Sequence, residues 1–145
     1  MELPVYVTVA EVQRVCRELG LRDWIGLTEA QVTPEEAAII LREIDTGDLK
    51  VDLADFAAGL EVELEHGTRF PEANVTNNHP LLTGKIVLAH FKESLDYYQR
   101  LEVAELEGDL LQALAAGNLA KAQKKRKALI AAQGALSQAE AKIFG

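Results

Sequence analysis

Apolar residues recur along this chain at the three- and four-residue spacing of amphipathic helices, and helix start and stop residues fall between the runs. Val9, Val12, Cys16 and Leu19 form the first stripe, with Thr8 and Glu11 spaced as a capping box and Gly20 as the stop. The spacing predicts a helix over about 9–19, preceded by a short extended arm at 4–8. Trp24, Ile25 and Gly26 read as a connector. Thr33, Pro34 and Glu36 repeat the start signal, and Ala37, Ile40, Leu41 and Ile44 give the buried face of a second helix. Asp45 to Asp48 is a turn. A third helix starts near Asp52, with Leu53, Phe56, Ala57, Leu60 and Leu64 inward and Gly67 as its end.

Residues 67–79 are rich in Asn, Gly, Pro and Thr and predict a long irregular loop. Pro80 opens a fourth helix whose run from Ile86 to Phe91 is apolar nearly all round, the mark of a central helix. The helical pattern continues to about Ala116. Gly117 and Asn118 pair a stop with a cap, and a last helix rich in Ala, Lys and Gln spans about 119–143. The expected fold is all-α: a compact bundle of about five helices in a single domain over 1–145. Within it, 33–101 is the core, 1–32 an N-terminal helical extension and 102–145 a C-terminal one.

Composition narrows the function classes. The chain has 145 residues, 48% hydrophobic and 26% charged, enough for a core and against global disorder. Its net charge of −8 repels phosphates, so nucleic-acid binding is not expected. Acidic residues crowd 41–66, while Lys121, Lys124, Lys125, Arg126 and Lys127 form a basic run suited to an acidic protein surface, such as a neighbouring subunit. A solvated helix face explains the same run. The single cysteine, Cys16, sits in an apolar stripe and suits a reducing compartment. No stretch is long enough to span a membrane, and residues 1–8 lack the pattern of a signal peptide. A cytoplasmic protein is expected.

The candidate chemistry lies on the third and fourth helices. Glu63 and His66 share one flank, three residues apart, and His90 and Glu93 share a face of the next helix with Tyr97. A histidine and a carboxylate among apolar residues need partners. Two readings stay open. One is a structural polar network; the other is a metal site of Glu63, His66, His90 and Glu93 for a divalent transition metal (zinc, iron or manganese). No complete catalytic set is visible, so an enzyme is not favoured. An EF-hand-like stretch at 44–56 lacks its first ligand and its glycine corner, and Thr83-Gly84-Lys85 lacks the glycine cradle of a phosphate loop.

The blocks from Glu61 to Gly67, Asn74 to Thr76, Thr83 to Ile86, Ala89-His90, Glu93 and Asp96 to Tyr98 resemble domain-of-unknown-function family 5661, found in bacteria and phages. The resemblance covers about 33–101. It marks Glu63, Glu65, His66, Gly67, Asn74, Thr76, Gly84, Lys85, His90, Glu93, Asp96 and Tyr97 as signature positions but carries no activity. The chain departs from the pattern at Asn78-His79-Pro80, where the family shows Asp-Asp-Pro, and at Leu95, where it shows proline. Leu95 predicts a fourth helix that runs straight. The function expected is a helical binding or assembly protein with a His/Glu polar core, with a protein partner or homo-oligomer. A phage-encoded virion or accessory component is the narrower form, and a metal-binding helical protein the alternative.

Overall fold

The structure, a computed structural model, describes residue 1 and residues 4–145. Residues 2 and 3, part of the stretch read for a signal peptide, lie outside the described residues. Among those described, the regular structure is entirely helical. None of the helices is long and apolar enough to cross a membrane.

Helix α1 spans Val9–Leu19. The hydroxyl of Thr8 accepts from the Glu11 N–H at 3.2 Å, but the box is only half made, because Glu11 turns outward to Arg14 at 2.6 Å. Gly20 ends the helix in the left-handed region, φ 70°. A single 3-10 turn, Trp24–Gly26, follows. Helix α2, Pro34–Glu43, has the full box: Thr33 accepts from the Glu36 N–H, and Glu36 accepts from the Thr33 N–H.

Helix α3 runs Leu53–Arg69, with Asp52 accepting from the N–H groups of Ala54 and Asp55. Gly67 therefore lies inside the helix and does not end it. Its role is close approach: a Cβ there would fall 2.0 Å from Oδ1 of Asn78. Leu53, expected on the apolar stripe, is exposed at the helix start. After a 3-10 turn at Pro71–Ala73, helix α4 covers Pro80–Glu93.

The first of two compact units is residues 1–92. Its core contains Val12, Trp24, Ala37, Ile40, Phe56, Leu60, Leu64, Val87 and Phe91. Each valine, leucine, isoleucine or phenylalanine among them contributes about 1.5–3 kcal/mol of burial. Helix α4 enters this core at Gly84, where a Cβ would meet Cγ2 of Ile40 at 2.7 Å. That approach sets α4 against α2 and α3.

The expected straight helix from Pro80 to Ala116 is broken. Residues 94–96 are non-helical, and helix α5, Tyr97–Ala115, starts afresh. No proline is needed for the break: Ser94 donates its hydroxyl to the Asp96 carboxylate, and the Tyr97 N–H turns back to the Ser94 carbonyl at 3.1 Å. Local side-chain bonds of this kind compete with helix continuation.

Residues 93–145 form the second unit. Helices α5 and α6, Leu119–Phe144, make an antiparallel hairpin turned at Gly117, φ 67°, with Asn118 accepting from the Lys121 N–H. Gln99, Val103, Leu106, Leu110 and Ala113 of α5 are buried or half-buried, as are Ala122, Lys125, Leu129, Ala132, Leu136, Ala139 and Ile143 of α6. Both rows alternate steps of three and four, the pattern of a coiled-coil seam.

Candidate functional site

Glu63 lies at the centre of the His/Glu cluster. Its Oε2 is 3.5 Å from Nδ1 of His66, one turn along α3, and its Oε1 is 3.4 Å from Nε2 of His90 on α4. The side chain of Glu63 is 10% exposed, that of His90 28% and that of His66 63%. A carboxylate accepts only, so the contact with His90 is favourable when Nε2 carries a proton. Both separations are long for hydrogen bonds and read as electrostatic contacts. Glu93, the fourth residue of the expected set, is exposed at the last position of α4. Among the described residues, no group of three or more His, Cys, Asp and Glu side chains is placed to hold a metal ion.

The remaining signature positions have separate tasks. Glu65 pairs with Arg69 at 2.8 Å on the outer face of α3. Lys85 is exposed on α4. Tyr97 packs edge-on against Tyr98, ring centroids 5.2 Å apart. Asp96 is fully buried and accepts from Arg100 at 2.6 Å as well as from Ser94. The Arg100 contact holds its carboxyl below the ordinary range, against the opposing effect of burial.

Asn74 and Thr76 organise the loop between α3 and α4. Asn74 donates to Oδ1 of Asn78 at 2.9 Å, and Thr76 turns towards the Asn74 side chain. Asn77 and Asn78 both take left-handed backbone, φ 50° and 58°, which asparagine tolerates better than most residues. Asn77 donates to the Val7 carbonyl and ties down the N-terminal arm, while Asn78 reaches the Trp24 carbonyl at 3.4 Å. A cavity of about 350 Å³ opens beside them, walled by Val9, Ile25, Leu27, Thr28, Gly67, Thr68, Pro71 and the three asparagines. Carboxamides and hydroxyls can hydrogen-bond a neutral polar group, and none of these lining side chains can act as an acid or base at neutral pH.

Two buried groups went unflagged as functional in the sequence. His79 is buried, and its Nδ1 accepts from the Leu82 N–H at 3.4 Å, in the first turn of α4. Burial lowers its pKa, partly opposed by the charge of Glu11. Glu36 serves as more than a cap. Arg22 donates to Oε1 at 3.0 Å and to Oε2 at 2.7 Å, and the Trp24 indole N–H donates to Oε1 at 3.2 Å. Burial pushes the Glu36 carboxyl up, but Arg22, Thr33 and Trp24 together bring it below its ordinary value.

The family described as Protein of unknown function (DUF5661) matches residues 12–107, and the chain belongs to that family. The match takes in most of α1, all of α2 to α4 and the first part of α5, more than the 33–101 read from the short blocks. No curated protein and no solved structure matches the chain.

Proposed function

We propose that this is a helical binding and assembly protein, in which residues 1–92 form a folded module with a structural His/Glu network and the α5–α6 hairpin carries the association surface. The observation that supports the reading is a hairpin with a second apolar side left open. Leu111, Leu114, Leu119 and Ile130 are 67%, 51%, 68% and 60% exposed. Uncovered apolar side chains gathered on one side mark an association site. Amine cross-linking of the protein in its native cell extract tests this, because Lys127 flanks the side in question and Lys121 and Lys124 are exposed on the same helix. Inter-protein cross-links centred on α6 support the reading. Cross-links confined to residues 1–92 would overturn it. The narrower form, a phage-encoded virion or accessory component in or from the cytoplasm, leans on where the family occurs; recovery of the protein with purified particles is its test.

The alternative is metal binding through Glu63, His66, His90 and Glu93. It draws on the two N–O separations of 3.4 and 3.5 Å around Glu63. Two ligands of a tetrahedral ion with bonds of ~2.0–2.2 Å stand about that far apart. Elemental analysis of the purified chain for zinc, iron and manganese decides it: a stoichiometric metal favours this alternative, and none favours the structural network.

A further inference from the structure

The hairpin's open side has a defined layout. On α5, Arg100, Ala104, Glu107, Leu111 and Leu114 follow one another at steps of three and four, all exposed. On α6, Leu119, Gln123, Arg126 and Ile130 do the same. The α6 stripe continues at that spacing to Glu140, which pairs with Arg100 at 2.8 Å, so the two stripes share one side of the hairpin. Levels along the hairpin follow from its turn at 116–118. Leu111 and Leu114 lie level with Gln123 and Leu119, Glu107 with Arg126, and Ala104 with Ile130.

Charge separates the two helices. Helix α5 carries Glu102, Glu105, Glu107 and Asp109 against Arg100, and α6 carries six Lys and Arg side chains, Lys121 through Lys127 and Lys142, against Glu140. Only part of this is used within the chain, as in the ion pair of Lys125 with Asp109.

Building on the assembly reading, we infer that the occupant of this side is a second copy of the chain, completing a four-helix bundle. Two copies can stack in two symmetric ways. A two-fold axis across the helices lays α5 on α5 and α6 on α6, acid on acid and base on base, which like charges oppose. A two-fold axis along the helices lays α5 of one copy on α6 of the other. Every neighbouring pair is then antiparallel, as in up-down bundles. The same operation sets Leu111 against Gln123 of the second copy, Leu114 against its Leu119, Ala104 against its Ile130 and Glu107 against its Arg126. Leucine meets leucine at Leu114, Ala104 meets isoleucine, acid meets base at Glu107, and Leu111 meets the aliphatic stem of Gln123; the contact is isologous, as a closed dimer requires. The second arrangement is the one the charges select.

The test is the mass of the purified full chain by light scattering, with circular dichroism as the check on folding. A dimer is expected. Leu111→Glu with Ile130→Glu should weaken it at least about tenfold, since both substitutions put charge into the buried centre of the contact, where truncations cost most. Glu107→Arg and Arg126→Glu should each weaken it, and the two together should restore it, because the pair is rebuilt with its signs reversed. A wild-type chain that stays monomeric at about 100 μM, a concentration at which even a micromolar dimer forms, overturns the second copy as occupant. So does a dimer unmoved by the Leu111 and Ile130 substitutions. In the monomeric case the assembly reading is judged separately, by whether cross-links from α6 reach a different protein in the extract. A dimer that weakens with each single charge reversal but stays weak in the double swap overturns the α5-on-α6 arrangement.

Discussion

Gly67 and Asn78 touch across the loop joining α3 to α4, and the glycine is there to let the asparagine in. A Cβ at Gly67 would stand 2.0 Å from Oδ1 of Asn78 and 2.7 Å from Nδ2 of Asn74. In an exposed helix interior, Gly→Ala gains about 1 kcal/mol. Here the gain should reverse. Gly67→Ala must displace the Asn74–Asn78 hydrogen bond, and Asn78 is buried with its backbone left-handed. A net loss of about 1–3 kcal/mol, the usual cost of overpacking, is expected in urea unfolding. A variant as stable as the wild type would remove the close-approach reading of this position.

His79 makes stability depend on pH in a definite direction. Its Nδ1 accepts from the Leu82 N–H, so only the neutral ring caps α4. Burial sets its folded pKa below the unfolded value of about 6.5. The unfolded chain thus binds a proton first as pH falls. The contribution of His79 is fully present above about pH 6.5 and is lost as pH drops from there through the folded pKa. His79→Asp keeps an acceptor for the Leu82 N–H without an imidazole and should flatten that part of the stability–pH curve. Thermal midpoints between pH 7.5 and 5 check it; parallel curves for the two proteins would refute the assignment.

Glu36 holds the connector to α2. Glu36→Ala leaves the buried Trp24 indole N–H without its acceptor, at about 1–3 kcal/mol, and loses the Thr33 box, at about 1 more. Glu36→Gln keeps an oxygen for Trp24 but weakens the Arg22 fork, so its cost should fall between wild type and alanine. Trp24 is the single tryptophan, so its fluorescence reports the site directly. Equal stability of all three proteins in denaturant would contradict this.

At Glu63 the two readings of the site predict different responses. As a polar network, Glu63→Ala should cost about 1–3 kcal/mol by leaving His90 half-buried without its carboxylate, and chelators should change nothing. His66→Ala should cost little, because that ring is largely exposed. A wild-type midpoint that drops on adding chelator would replace the network with the metal reading.

How much of this was legible follows the range of the interactions. Thr33-Pro34-Glu36, Gly20, Gly117 and the inward Phe56, Leu60 and Leu64 of α3 act within a few residues, and the chain forms those features where the sequence places them. Glu63 and His90 were legible as partners because helical spacing puts each on a flank and burial demands pairing. Gly67 misled because a stop glycine and a packing glycine look alike until the residue opposite, Asn78, is known. The Arg22 and Trp24 contacts of Glu36 span 14 and 12 residues through an irregular connector, where no periodicity fixes direction. The α4–α5 break was hidden for a different reason. Ser94 and Asp96 stop the helix through side-chain bonds, and neither is a strong breaker by type.

Asp96 provides the check on that break. It occupies the N-cap position of α5, but its carboxylate goes to Arg100 and Ser94 and caps no N–H. Arg100 pulls its pKa below the unfolded value of about 3.9, despite burial. The folded state therefore favours the ionised form. The contribution of Asp96 is present above about pH 4 and is lost as pH falls through the lower folded pKa. Asp96→Asn should lower the melting temperature at pH 7, and the gap to wild type should close on acidification, when the wild-type carboxyl also becomes neutral. Ser94→Ala should lower the midpoint at pH 7 as well, by removing one donor from a buried charge. A gap that persists unchanged at pH 2.5 would show that Asp96 acts by shape and not by charge.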